Sequence, residues 1–312
     1  MISDSMAPTD FGTLPVNPRQ ILSASALATL NQRSNGAGAL QFLGHLGVIA
    51  ISGGLWMTAP VWVAIPALVV YGTSLALMFC AMHECSHRTA FANPQIGDAA
   101  AWLAGLLSFY NSTFYRRYHK WHHRYTQIPG KDPELDDALP ATPMQYLWHL
   151  SGIPWWISKV RGHLDVALGR LDGCYFLPES AHAETIRSTR IQLAVYGAIA
   201  LTTALLGHPW FLLTMWVLPL AIGQPVLRFV LLAEHTGCPN IDNPLRNTRT
   251  TLTLFPLRWL MWNMPYHAEH HLYPSIPFQA LPQAHEQLKQ HFERVEPGYV
   301  NVNRNFVANL AK

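Results

Sequence analysis

Two long stretches without a single acidic or basic side chain constrain this chain more than anything else in it. No Asp, Glu, Lys or Arg occurs between Arg33 and Glu84, or between Arg190 and Arg228. The 312 residues are 50% hydrophobic and only 12% charged, and a soluble fold of that length needs more polar surface than this supplies. Crossing a hydrocarbon core takes about 20 apolar helical residues. The first gap divides at Thr58-Ala59-Pro60 into spans over residues 40–57 and 61–82. The second divides at Gly207-His208-Pro209 into spans over 191–206 and 211–233. Buried core helices of a soluble protein are the competing reading, and four long apolar segments in uncharged pairs speak against it. The pattern predicts an all-α integral membrane protein with four transmembrane helices in two hairpins.

Each predicted hairpin starts and finishes on one side, so its second span delivers His83 or His235 to the same membrane face. Every Lys and Arg lies outside the two uncharged turns, which puts that face in the cytoplasm by the positive-inside rule. A cytoplasmic helical cap carrying the remaining His is then expected. Residues 97–110 are too few to cross, and crossing would put His119 opposite His87, so an interfacial or re-entrant helix is predicted. Residues 140–190 mix Trp148, Trp155 and Trp156 with Lys159, Arg161 and Arg170, a composition suited to helices lying in the interface. Residues 1–39 read as a cytoplasmic N-terminal tail without a cleavable signal peptide, 40–292 as one membrane domain and 293–312 as a C-terminal tail. Cys80, Cys85, Cys174 and Cys238 have no metal-ribbon spacing, and no disulfide is expected on a cytoplasmic face. A net charge of +3 gives no reason to expect nucleic acid as a partner.

The chemistry lies in the histidines. H-x-x-H-H occurs at His119, His122 and His123 and again at His267, His270 and His271. On a helix, positions i, i+3 and i+4 share a face, so each triple is expected to point its imidazoles one way. His83 and His87 stand one helical turn apart, and His235 ends a long apolar run. Imidazole suits Zn, Cu and Fe, and nine such groups exceed what one tetrahedral ion can use, so a two-metal centre is predicted. Lone His side chains are more often packed or at the surface. That reading is given to His45, His149, His163 and His182, and His285 and His291 are expected at the surface of an amphipathic helix over 281–292. Glu84, Arg88, Asp132 and Glu134 are candidates to hold the outer nitrogen of a ligating imidazole. Arg116, Arg117, Lys120 and Arg124 are available to anionic headgroups or an acidic electron donor.

Over roughly residues 40–290 the chain resembles the membrane fatty acid desaturase and hydroxylase superfamily. The resemblance is carried by HECSHRTAF (83–91), YHKWHHRYT (118–126) and NMPYHAEHHLYPSIPF (263–278), which look like that family's three histidine boxes. It implies a non-haem di-iron centre on His83, His87, His119, His122, His123, His235, His267, His270 and His271. O2 is then the co-substrate, and the reaction is desaturation or hydroxylation of a fatty acyl or other hydrocarbon chain. The chain departs from the stearoyl-CoA desaturase branch at Leu231, where that branch carries Asn. The forms AEHTG (233–237) and YHAEHHLYP (266–274) look closest to a bacterial branch that includes rhizopine oxygenase-like proteins, so oxygenation of a non-lipid small molecule is the second reading. A membrane metal-binding or transport protein without redox chemistry is the reading of another class, and a transporter would place ionisable groups along its spans. The chain has no flavin, Rieske or cytochrome b5-like motif, so electrons are expected from a ferredoxin-type donor and its reductase. A bacterial inner membrane with the site on the cytoplasmic face is the implied location.

Overall fold

A computed structural model describes residues 20–310 and is mostly helical. The helices run α1 (Ala24–Leu30), α2 (Asn35–Thr58), α3 (Val61–Ser86), α4 (Pro94–Ser108), α5 (Ser112–Tyr125), α6 (Pro143–Leu150), α7 (Ile153–Ala167), α8 (His182–Leu205), α9 (Leu218–His235), α10 (Phe255–Leu260), α11 (His267–Leu272), α12 (Leu281–Leu288) and α13 (Tyr299–Ala308). Two short parallel strands, β1 (Thr250–Thr251) and β2 (Val295–Glu296), tie the segment before α10 to the segment before α13.

Three helices are long and apolar enough to cross a membrane: Asn35–Thr58, Val61–Ser86 and Leu213–His235. Ser34 caps α2 by accepting from the Ala37 N–H, and Ala59-Pro60 ends it, since Pro has no N–H with which to continue the ladder. Leu40, Leu43, Ile51, Met57, Trp62 and Ile65 are exposed, an outward apolar surface that suits lipid and not water. The predicted spans at 40–57, 61–82 and 211–233 therefore fall on helices of spanning length. The fourth, at 191–206, does not by composition, because its helix α8 begins at His182 and carries Glu184, Arg187 and Arg190 in its first half.

Helix α8 nonetheless runs the length of the bundle. Near its start, Glu184 pairs with Arg117 of α5 at 2.5 Å. The turn after its end, residues 207–211, lies against Trp56 and Met57 at the far end of α2. Polar contacts hold it there: Asn111 Nδ2 donates to Ser188 Oγ (3.1 Å) and Gln192 Oε1 (3.0 Å), and Tyr196 donates to the Leu106 carbonyl (2.6 Å).

At the centre, α3 and α9 cross at Gly72 and Gly223, where a Cβ on either residue would collide with the other helix's backbone. Such small-residue contacts are what lets membrane helices approach closely. A π-helical turn at Leu213–Val217 precedes α9. It breaks the i−4 ladder, and the Thr214 and Met215 carbonyls accept from Trp56 Nε1 (3.2 Å) and Tyr71 OH (2.6 Å). The segment 97–110, expected as an interfacial or re-entrant helix, falls on α4 and the turn after it. Arg88 and Arg116 both pair with Asp98 of α4, and the turn after α4 brings Tyr110 to 4.7 Å from Phe79 of α3, ring to ring. The stretch assigned to the C-terminal tail includes α13, whose Asn303 Nδ2 donates to the Phe229 carbonyl of α9 (3.1 Å). In the stretch assigned to the N-terminal tail, α1 buries Leu30, and residues 1–19 lie outside the described residues.

Candidate metal centre

Four elements end or begin at one buried place. Helix α3 carries His83 in its last turn and is capped by His87. Helix α5, N-capped by the Asn111 side chain (2.9 Å to the Phe114 N–H), carries His119, His122 and His123. His235 ends α9, and α11 carries His267, His270 and His271, all three buried. All nine histidines expected at the site are brought together here.

They do not form one undivided cluster. His83, His87, His119, His123 and His270 make one group, and His122, His235 and His271 another, the ligand nitrogens within each lying within 4.8 Å of one another. His267 adjoins the second group, its Nε2 3.2 Å from His235 Nε2. Each H-x-x-H-H triple is therefore split, with His122 turned away from His119 and His123, and His271 away from His270. Adjacent helical residues differ by about 100° in direction, so a consecutive His pair diverges even though both belong to one broad face. The sequence expectation that each triple points one way is corrected by that angle. His123 and His271, stacked at 4.1 Å between ring centres, join the two groups.

In the second group the tautomers follow from hydrogen bonds. His122 Nδ1 lies 2.8 Å from Asp132 Oδ1, and His235 Nδ1 donates to the Asn247 carbonyl at 3.1 Å. Thr126 gives its hydroxyl hydrogen to the His122 carbonyl (2.8 Å), so it accepts from His271 Nδ1 at 3.2 Å. In each of the three imidazoles Nδ1 then carries the proton and Nε2 presents a lone pair. Among the described residues, only His119 of the five-His group has a hydrogen bond to a side chain outside the histidines, with Tyr115 OH at 3.3 Å. The other four rings are held by one another and by apolar neighbours, for example Phe79, 6.2 Å from His83.

The arrangement fits metal ions. Two nitrogens each about 2.1 Å from one ion, at 90–109°, lie about 3.0–3.4 Å apart. His119 Nε2 to His123 Nε2 is 3.0 Å, His123 Nε2 to His270 Nε2 is 3.1 Å and His267 Nε2 to His235 Nε2 is 3.2 Å. His83 Nε2, His87 Nε2 and His271 Nε2 are buried without any partner among the described residues, which is costly for a polar atom unless something binds it. Metal binding also requires neutral imidazoles. Burial, then the Arg116 charge, lowers His87 to about 3. Burial first and then the neighbouring imidazoles hold His119, His123, His267, His270 and His271 well below the ordinary value. His122 is the exception: burial lowers it, but Glu134 and Asp132 together outweigh burial and raise it.

Of the residues expected to support the imidazoles, Asp132 does so directly and Glu134 Oε2 stands 3.6 Å from His122 Nε2. Glu84 instead accepts from Thr89 (2.6 Å) and the Phe278 N–H (3.1 Å), tying the end of α3 to the loop after α11. Arg88 faces Asp98 and no His. His285, expected at the surface, is buried, with its Nδ1 2.5 Å from Glu269 of α11, which also accepts from Thr250 at 2.5 Å. His45 and His163 are packed as expected, His45 against the Ser74 carbonyl (3.0 Å) and His163 stacked 4.5 Å from Phe109. Glu234, 3.5 Å from His267 Nε2, belongs to no expected set; its place beside His235 is the signal that could have found it.

The fatty acid desaturase family model matches residues 60–302. An sn-1 oleoyl-lipid 12-desaturase of Picosynechococcus is 27% identical over 270 residues, 79% of this chain and 76% of that one. The human sphingolipid delta(4)-desaturase/C4-monooxygenase is 27% identical over 226 residues, 69% of this chain and 62% of its own length. A Caenorhabditis elegans delta(5) fatty acid desaturase is 24% identical over 247 residues, covering 68% of this chain and 54% of that enzyme.

Proposed function

The chain belongs to the fatty acid desaturase family, and from that premise we propose that it inserts a double bond or a hydroxyl group into the acyl chain of a membrane lipid, using O2 and two irons held by nine histidines. The observation that carries this reading is the division of the imidazoles into two groups that share α5 and α11. His83, His87, His119, His123 and His270 would hold one ion, and His122, His235, His267 and His271 the other. An unactivated C–H bond requires an oxidant made by reducing O2, and a pair of irons supplies that redox chemistry where Zn(II) has none.

The remaining steps belong to this chain's own side chains. Asp132, the Asn247 carbonyl and Thr126 fix three imidazoles with Nε2 inward before anything binds, so little reorganisation is left for the reaction itself. The buried loop Asn247, Thr248, Arg249 and Thr250 closes over the end of α9 and excludes water. Arg249 caps that helix through the Ala233 and Thr236 carbonyls. From Leu75 to Met82 α3 is buried and apolar up to His83, so a hydrocarbon coming to the centre from lipid would meet apolar side chains.

We read four traverses in this chain. Helices α3 and α9 both point their C-terminal ends at the histidines, so the chain between them must return to the opposite end, and α8 is the element that does so. Its charged first half then lies at the membrane surface and its second half in lipid. The histidine end faces the cytoplasm, with a ferredoxin-type protein and its reductase as the electron source. Tags after Lys131 and at the C-terminus should report cytoplasm, and a tag at Ala59 or His208 the opposite side; an external tag after Lys131 would sink this topology. The reaction is tested by profiling the lipids of cells expressing the chain or its His122→Ala variant. A lipid with one more double bond or hydroxyl should appear only with the unaltered chain. Identical profiles, or purified protein that contains zinc alone, would remove the proposal.

A further inference from the structure

Outside the histidines, the most unusual grouping of polar atoms lies between α7, α9 and the turn after α4. Helix α7 looks inverted: Ile153, Ile157, Val160 and Leu164 are exposed at spacings of three and four, while Trp155 and His163 are buried and Lys159 is half-buried. An apolar outward stripe is expected of a helix set in lipid, and it leaves Lys159 on the inward side. There Lys159 Nζ stands 4.1 Å from the Tyr110 ring centre. Arg228 of α9 donates to Tyr110 OH at 3.0 Å and lies over Trp155 at 5.6 Å, and Trp155 Nε1 donates to the same hydroxyl at 2.9 Å. One turn before Arg228 on α9, Gln224 is wholly buried. Gly152 packs so closely on it that a Cβ there would lie 2.7 Å from Gln224 Cβ.

Beyond Tyr110, this cluster holds donors and positive charge that no anion among the described residues receives. Both amide atoms of Gln224 and the Nε of Arg228 are buried without a partner. Tyr110 OH accepts two hydrogen bonds, and no acceptor for its own hydrogen is present among the described residues. Within the same residues no carboxylate lies within 4.0 Å of Lys159 or Arg228. Burial, and then the Arg228 charge, lowers Lys159 to about 7, so the ammonium is disfavoured there until an anion joins it. Two cations and two unpaired polar side chains at the inner face of a lipid-embedded helix suit one ligand class.

We infer that Lys159, Arg228, Tyr110 and Gln224 bind the anionic head of an acyl lipid, a carboxylate or a phosphate, beside the metal centre. One ring, Phe79, leads from Tyr110 to His83, at 4.7 and 6.2 Å between ring centres, and Tyr115 makes a second such link at 6.1 and 6.3 Å. A lipid held by its head in this site has its chain directed past the histidines. The inference rests on the proposal above that the substrate is a lipid, and it specifies the charge such a substrate carries.

The experiment is equilibrium binding to the purified full-length protein in a neutral detergent. Oleate is compared with methyl oleate, and a dioleoyl phosphatidylglycerol with dioleoylglycerol. At least one anion should bind about tenfold or more tighter than its uncharged counterpart, the size of one charge-assisted hydrogen bond. The pair that shows the preference identifies the head as carboxylate or phosphate. Lys159→Gln and Arg228→Gln should each abolish the preference while leaving methyl oleate or dioleoylglycerol binding unchanged, and Lys159→Arg should keep it. Equal affinities for both pairs in the unaltered protein overturn the inference whether or not the variants fold, and so does a preference that survives both Gln variants. Binding is read without turnover, so a protein that prefers the anion yet alters no lipid in cells would refute the proposed reaction and leave the anion site standing.

Discussion

The five-His group and the four-His group are built from the same helices and positioned by different forces. Around His122, His235 and His271, each outer nitrogen has a designated acceptor: a carboxylate, a backbone carbonyl and a hydroxyl. Around His123 and His270 the outer nitrogens are buried with no acceptor among the described residues, and in the same group His83 rests on Phe79. Hydrogen bonds fix both the direction of a ring and its tautomer, whereas packing fixes only direction. One α5 helix serves both groups because its consecutive His122 and His123 diverge, so any shift of that helix disturbs the two together. The four-His side is therefore the one on which single polar substitutions act, whereas loss of a ring acts on both sides.

The largest effect should come from deleting rings. His270→Ala removes a nitrogen 3.1 Å from His123 Nε2, and His235→Gln removes one from the other group. Both should lower turnover about 100-fold or more, the upper end for lost metal support. His235→Gln should lower iron toward one per chain with the five-His ion kept. Loss of both irons from His235→Gln would show that the groups do not load separately, and full retention of both would take His235 out of the site.

A smaller effect, and a sharper contrast, comes from the outer partners. Asp132→Asn weakens the hold on His122 and should cost about 10- to 100-fold in iron affinity or turnover. Tyr115→Phe removes the one side-chain hydrogen bond that the described residues outside the histidines give the five-His group, 3.3 Å from His119 Nδ1, and leaves the ring stacked at 5.0 Å. Its effect should stay near one weak hydrogen bond, about fivefold at most. Metal content and steady-state turnover of the two purified variants decide the matter. Equal losses would mean that the two groups are supported alike.

What can be read in the sequence follows from the same difference. Histidine spacing is carried by side chains, so all nine rings, and Asp132 behind them, are legible in the order of residues alone. The carbonyl of Asn247 is not, because a backbone acceptor has no signature and depends on a loop folding back over α9. Three spans are legible as uninterrupted apolar runs. The run at 191–206 is legible as well, but the helix that holds it, α8, starts in polar sequence and fixes itself to the bundle through Ser188 and Gln192, residues that lower its hydropathy. The division of each H-x-x-H-H is implied by helical geometry, yet which ring serves which group depends on how α5 and α11 are rotated in the bundle. His285 departs from its expected surface position because amphipathic spacing on α12 shows which face is polar and not what that face meets.

His285 also supplies the smallest expected effect and the closest test of what holds α11. Glu269 lies between His267 and His270 and is fully buried, with the His285 ring and the Thr250 hydroxyl as its side-chain partners. Replacing His285 with Leu keeps much of the volume but leaves a buried carboxylate with one of those two partners, a change that typically costs about 1–3 kcal/mol. Glu269 touches no metal-facing nitrogen directly, so the cost should appear as a lower thermal midpoint, with iron content and turnover close to those of the unaltered chain at moderate temperature. His285→Gln can still donate to Glu269 and should recover most of the loss. If His285→Leu instead emptied one group of iron at a temperature where the helices remain folded, α11 would owe its position to this hydrogen bond. The four-His group would then depend on a polar contact from α12 as well as on Asp132, Asn247 and Thr126, and because α11 also carries His270, the five-His group would lose its independence of polar support.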